Sequence, residues 1–572
     1  MKCYENKCEG GKRMRIKKLL YIVSAFFIIF ISCEEKVLDT KPSTEYTDKD
    51  VWSDINLAKL FALDQYRVLE GFGISDVNWG AGIMMLGTIC DETYNKWDIV
   101  ECVNQGYISA EDPGWIFWDL WRHYWWYVRN ANMVLENIDQ VENASPDEIN
   151  IIKGEMKFVR AYAYFRLISY YGGVPIIKET FDLDDDFTRK RNSFKACVDF
   201  ILEDLDDAVN LVPLDADFGR ITKGACLALK SRVLLYAASK LHDPSVTSDS
   251  LFVYDKPNKW QDAADAAMEV INLNKYSLVP VNSWKEYQEL FLSNNEEVIL
   301  ARPFHPEYGY FEYRPDLLNS PNGYGGWACN TPTQNIVNDY ELIDGTIPEF
   351  PDSGKGVDPD SLYANRDPRF YANILYNGSE FRGRKVEGFL PGGKDSKDGP
   401  AGWNWSRTGY WMRKFMDESI DFSSTRGNTP RIHFRLAEIY LNLAEALYHL
   451  GEEGEAREYV NMIRRRVGMP EISSSGPELL DAIRHEREIE LMFEGHRFFD
   501  LRRWMTAPEE LSEPCYGVVW EKLDENGNLS ESGTLCFRVY KVADRLWDDK
   551  LYYMPIPFEE IAKTGMRQNP GY

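Results

Sequence analysis

The sequence predicts a mainly α protein in which helices pack as pairs and carry one long loop-rich stretch. Three observations predict it. Apolar residues recur at three- and four-residue steps over several long windows. Strand-like alternation is sparse. Between about 280 and 430 the helical period gives way to Gly, Pro, Asn and Asp, as in Ser320-Pro321-Asn322-Gly323-Tyr324-Gly325-Gly326, Pro391-Gly392-Gly393-Lys394 and Gly399-Pro400-Ala401-Gly402. Long ordered loops of this kind usually carry function. The resulting division is a leader over 1–32, a helical part over 33–280, a loop-rich variable region over 281–430 and a second helical part over 431–572.

The leader comes first. Residues 1–18 are basic (Lys12, Arg13, Arg15, Lys17, Lys18), an apolar run from Leu19 to Ile31 follows, and Ser32-Cys33 close it. A spanning helix needs about 20 apolar residues, so the shorter run reads as the core of a secretory signal. Phe30-Ile31-Ser32-Cys33 has the form of a lipobox, which makes Cys33 the predicted lipidation site and first mature residue. A buried cysteine in an uncleaved anchor is the alternative. Met14 precedes Arg15-Ile16-Lys17-Lys18, so Met1 and Met14 both stand as starts; the second would remove Cys3 and Cys8. Residues 34–50 (EEKVLDTKPSTEYTDKD) lack an apolar period and read as an extended tether to a first helix capped by Thr47 or Asp48.

The helical windows are 115–141, 147–171, 194–211, 220–241 and 259–273 before the loop-rich stretch, and 432–450, 453–467 and 477–495 after it. The clearest is 432–450, where Leu436, Ile439, Leu443, Leu447 and Leu450 share one face. Ala446-Leu447-Tyr448-His449-Leu450-Gly451, followed by Glu455-Ala456 and Tyr459, resembles the tetratricopeptide pattern. Small residues there let two antiparallel helices approach, and Gly turns the corner. Leu229 to Ala238 with Trp260, Ala263 and Ala267 is a weaker echo. The predicted fold class is a tetratricopeptide-like helical-pair scaffold with a long loop-rich variable region.

Composition narrows the ligand. The chain has 572 residues, 44% of them hydrophobic and 27% charged, which excludes a disordered tail or a membrane bundle. A formal charge of −26 argues against nucleic acid, which needs a surplus of Lys and Arg on one face. Aromatic residues make up 14%, a composition suited to uncharged ligands with flat apolar faces, sugars above all. The seven cysteines after Cys33 are scattered and contain no C-x-x-C, so neither a disulfide framework nor a zinc site is predicted. Pairing of Cys515 with Cys536, or of Cys90 with Cys102, stays open.

No phosphate-loop, dinucleotide or nucleophile-elbow motif occurs. His485-Glu486 lacks a second histidine four positions on, because position 489 is Ile. No enzyme, metal or cofactor is predicted. Eight aromatics within 115–127 lie at helical spacing and read as core. Loop aromatics have no helix to bury them, and ligand contact and satellite-core packing both stay open. Tyr308, Tyr310, Tyr313, Tyr324 and Trp327 form one such group, and Trp403, Trp405, Tyr410 and Trp411 another. Trp79, followed by Gly80 and Gly82, and Trp97 are of the same kind. The candidate ligand-binding residues are Trp79, Trp97, Tyr308, Tyr310, Tyr324, Trp327, Trp403 and Trp405.

Several segments together resemble the SusD/RagB family of outer-membrane lipoproteins. They are Cys33 with Val37-Leu38-Asp39 and Pro42; Glu155 to Tyr162 running to Tyr171-Gly172-Gly173-Val174-Pro175; Arg435 to Asn442 with Ala444-Glu445-Ala446; Glu486 to Leu491 running to Gly495 to Trp504; and Pro555-Ile556-Pro557 with Gln568-Asn569-Pro570-Gly571-Tyr572. The ordered set covers essentially all of 33–572, and 281–572 together read as the C-terminal family region. The resemblance implies a tetratricopeptide-like helical fold whose variable region holds the ligand site. It implies a lipid-anchored protein on the cell surface, beside a SusC-like TonB-dependent transporter, that binds oligosaccharides for import without cutting them. Glu34-Glu35 resembles the acidic surface-export signal of such lipoproteins. Arg487, Glu490, Arg497 and Asp500 read as a buried ion-pair set and not as a ligand site. Two rival functions remain at this point: the same architecture binding peptides, and a tetratricopeptide scaffold that binds proteins.

Overall fold

The computed structural model describes residues 48–73, 83–97, 100–182, 184–305, 315–421 and 427–572. The leader, Cys33 and residues 34–47 of the tether lie outside the described residues, as do Trp79, Tyr308, Tyr310 and Tyr313. Among the described residues no helix is long and apolar enough to cross a membrane.

The first sustained helix, α1 (Ile55–Asp64), is capped by Asp54, whose carboxylate accepts from the Asn56 N–H at 2.9 Å. A single helical turn, Asp48–Val51, precedes it, so among the described residues the chain first turns helical at the predicted Asp48. Next come α2 (Gly114–Asn137), α3 (Pro146–Tyr171), α4 (Phe194–Leu211), α5 (Lys223–Ala238) and α6 (Lys259–Ile271), each packed on the one before. Local chemistry sets their ends. Ser145 and Glu148 form a capping box at the start of α3, with Pro146 in the first turn. Beyond its end, Gly172 takes φ 73°, and a Cβ there would lie 2.6 Å from the Phe252 ring.

After the loop-rich region come α7 (Leu436–Leu450), α8 (Glu453–Arg466), α9 (Pro477–Glu490) and α10 (Arg497–Trp504). Gly451, at φ 84°, turns α7 into α8 as the tetratricopeptide reading requires. Because α7 packs on α6 as well as on α8, the helical stack continues across the insertion.

Short strands punctuate the chain: β1 (Thr93–Asn95), β2 (Val298–Arg302), β3 (Asn330–Pro332), β4 (Ser353–Lys355), β5 (Phe389–Leu390), β6 (Arg431–Arg435), β7 (Cys515–Leu523) and β8 (Thr534–Ala543). The antiparallel β2–β6 ladder sets Arg302 opposite Arg431 and so closes the insertion at its base. The window predicted as helical from 432 thus begins as strand, and the helix starts at Leu436. A four-stranded sheet in the order β4-β8-β7-β5 was not predicted. Its register places Cys515 opposite Ala543 and Cys536 opposite Glu521, at opposite ends of the hairpin. All seven described cysteines are free thiols.

One core joins α2–α7 to Leu551, Met554, Ile556 and Met566 near the C-terminus. A second lies under the loop-rich region around Tyr363, Phe370, Trp411, Trp520 and Phe537. The helical aromatics Phe117, Trp121, Tyr124 and Tyr127 are core, as expected, whereas Trp126 is 59% exposed.

The buried polar groups give the fold a pH signature. Burial pushes Glu92 up to about 8 and Asp316 up to about 7, and burial with the neighbouring Asp91 charge pushes Asp339 up to about 6. Such groups stabilise the fold below their unfolded pKa, and that contribution is lost as pH rises through the folded value. Burial also holds His123 down to about 4 and His242 and His433 down to about 3. Their contribution is present at neutral pH and lost as pH falls from the usual histidine range toward those values. Thermal melts are therefore expected to show higher stability at pH 6.5 than at pH 8, with the gain stopping below pH 6 (roughly, from these pKa positions). A melting temperature that climbs steadily to pH 8 would contradict this.

Candidate functional site

The site begins with a ladder of three residue pairs. β1 and β3 run antiparallel, with Thr93 opposite Pro332, Tyr94 opposite Thr331 and Asn95 opposite Asn330. Chain leaving β1 and chain entering β3 therefore lie side by side, which places Trp97 and Trp327 at the same end of the ladder. Asn95 fixes that exit: its side chain accepts from the Trp97 N–H at 2.9 Å and donates to the Ile83 carbonyl at 2.7 Å. Lys96 joins a third segment. Its ammonium donates to the Trp327 carbonyl and to Asn404 Oδ1, each at 2.5 Å.

Asn404 ends a short helical turn, Gly402–Asn404, that follows a tightly folded loop. Asn322 holds that loop by donating to the carbonyls of Ser396 and Pro400, both at 3.0 Å. Asp395 accepts from Arg384 at 2.7 and 2.9 Å and from the Gly323 N–H at 3.1 Å. Gly399 passes so close to the Lys394 carbonyl that a Cβ would collide with it.

The segments that carry Trp97, Trp327, Trp403 and Trp405 thus meet at Lys96. Trp403 is 74% exposed and Trp97 46%, while Trp327 and Trp405 are half-buried. Lys96 lies 5.2 Å from the Trp97 ring centre, and the Arg407 guanidinium covers the Trp405 ring at 4.4 Å. Burial lowers the Lys96 ammonium to about 8, with Cys329 pulling it up and the Arg407 charge pushing it further down. The arrangement offers exposed indole faces beside fixed hydrogen-bond donors, which suits a ligand with an apolar face and a polar rim.

Other candidates are placed differently. Tyr324 sits with its ring under the Arg384 guanidinium at 3.7 Å and meets Phe381 edge-on at 5.1 Å, and its hydroxyl donates to the Phe381 carbonyl at 2.8 Å. Its contacts run into the fold. Tyr410 and Trp411 are buried in the second core, and the Tyr410 hydroxyl donates to Gln334 at 2.6 Å. Sequence reasoning singled out the tryptophans but missed Lys96, Asn404 and Arg407. Their adjacency to Trp97, Trp403 and Trp405 was the available signal.

The profile of the SusD family matches residues 288–572, and a family described as starch-binding and associating with the outer membrane matches 79–235. A solved SusD-like protein from Bacteroides fragilis is 31% identical with a TM-score of 0.78, covering 93% of this chain and 100% of its own. A SusD-like protein of Formosa agariphila is 23% identical over 539 residues, 88% of this chain and 95% of that one. The starch-binding protein SusD of Bacteroides thetaiotaomicron is 25% identical over 431 residues, 67% and 70% of the two chains.

Proposed function

The chain belongs to the SusD family, and from that premise we propose that it is a glycan-binding lipoprotein of the cell surface. It captures oligosaccharides without cleaving them and passes them to a SusC-like TonB-dependent transporter in the outer membrane. One observation carries the saccharide reading: three chain segments meet at Lys96 and present Trp97 and Trp403 to solvent beside Trp327 and Trp405. The names of the relatives support it, one being a starch-binding protein, and so does the outer-membrane association in the family description.

Calorimetric titration with glycans tests the site. Trp403→Ala and Trp97→Ala each remove a stacking face and are expected to weaken binding by about 1–2 kcal/mol, up to roughly thirtyfold, with the melting temperature kept. Unchanged affinity in both variants would place the platform elsewhere. The ligand should emerge from these titrations uncut.

The anchor is tested separately. Cys33→Ala is expected to release the protein from the membrane fraction, since lipidation at that cysteine supplies the attachment. Mass spectrometry that finds residues 1–32 still joined to the mature protein would refute the lipidation site.

A further inference from the structure

We propose that the tryptophan cluster takes an acidic saccharide, one bearing carboxylate or sulfate groups. The proposal rests on the saccharide-binding reading and adds the ligand's charge. The whole chain is acidic, with 91 Asp and Glu against 65 Lys and Arg. Three cations elsewhere in the loop-rich region are paired with acids: Arg384 with Asp395 at 2.7 Å, Lys385 with Asp360 at 2.7 Å, Arg413 with Glu418 at 3.0 Å. The two cations of the cluster differ from these three. Lys96 bonds to a carbonyl and a side-chain amide, Arg407 lies on an indole, and neither has a carboxylate partner among the described residues.

Donor geometry points the same way. An ammonium has three N–H groups, and two of those on Lys96 are engaged by Trp327 and Asn404. The third remains for a ligand. Arg407 is half-buried against the face of Trp405, which holds its planar fork while leaving edge N–H groups for an oxyanion. The two positive charges sit close enough for one to depress the other's protonation, so an anion shared between them removes a repulsion the empty site carries. A sugar stacked on Trp97 or Trp403 would carry its ring substituents past both groups. Net charge therefore misleads at this spot: the average field disfavours anions, while the local donors favour them.

Titration of the full chain with two probe sets decides the matter. Oligogalacturonate supplies carboxylates, chondroitin sulfate and heparin oligosaccharides supply sulfate, and maltoheptaose and laminarihexaose are neutral. An acidic probe is expected to bind about tenfold or more tightly than either neutral one, and comparison of the acidic arms identifies the group read. Arg407→Gln should weaken that acidic binding about tenfold while Arg407→Lys recovers part of it, because the Lys variant keeps the charge but not the stacked planar fork. Neutral probes binding as tightly as every acidic one, no acidic probe binding, or an Arg407→Gln variant with unchanged acidic affinity would each overturn the proposal. Failure of the underlying saccharide reading looks different: Trp97→Ala and Trp403→Ala would then leave every glycan affinity unchanged.

Discussion

Glu490→Ala is expected to cost about 3–5 kcal/mol of folding stability, because it removes the carboxylate that three buried guanidinium groups share and leaves part of their charge uncompensated in a water-free site. Glu490 is fully buried at the end of α9. It accepts from Arg435 at 2.7 Å and from Arg369 at 3.0 Å, and it also pairs with Arg466. Burial alone would raise its pKa, yet the charges of Arg466, Arg435 and Arg369 hold it well below the usual carboxylate range. The same arginines reach further acids. Arg369 meets Glu486 at 2.5 Å, Arg435 meets Glu297 at 2.8 Å and Glu494 at 2.7 Å, and Arg466 meets Glu297 at 2.6 Å. These residues come from β6, α8, α9 and the loop-rich region, so the network fastens the insertion to the helical stack. Asp360→Ala is the matched control. Its pair with Lys385 is half exposed, and such pairs contribute only about 0–1 kcal/mol. Denaturant titration separates the two, and a Glu490→Ala loss no larger than the Asp360→Ala loss would refute the network's role.

Trp121→Ala should cost a comparable ~3–5 kcal/mol, by the different route of a cavity in a close-packed core. Trp121 is 2% exposed on α2, edge-on to Tyr171 at 4.9 Å and to Trp125 at 5.7 Å. The fraction that stays folded should bind glycan normally. Trp403→Ala carries the opposite signature, an unchanged melt with weakened binding, because a 74% exposed ring has few neighbours to lose. Equal thermal losses in the two variants would show that Trp403 belongs to a packed cluster. The pair therefore tests whether indoles alike in sequence differ in physical role.

Local pattern reported local structure well. The window 194–211 matches α4, since Ser193 caps its start and its apolar face repeats within the segment. The window from 432 failed in its first residues for a non-local reason. Arg431–Arg435 is a strand because β2, more than a hundred residues earlier in the chain, supplies its partner. The β7–β8 hairpin leaves a trace in Asn526-Gly527 between two β-branched runs, which the strongly helical chain around it masks.

The sequence by itself determined the helices, the family resemblance, the loop-rich insertion and the choice of tryptophans as ligand candidates. Each depends on residue type and spacing within a short stretch, where periodicity, caps and turn residues act directly on the backbone. Only the tertiary structure decided which aromatics share a surface. Tyr324 and Trp327 stand three positions apart and looked equivalent, yet one lies under Arg384 and the other's carbonyl meets Lys96. The bonds that assemble the cluster span 231 and 308 positions. No local pattern encodes such a meeting, because it depends on the β1–β3 register and the loop held by Asp395, both set by the packed fold as a whole.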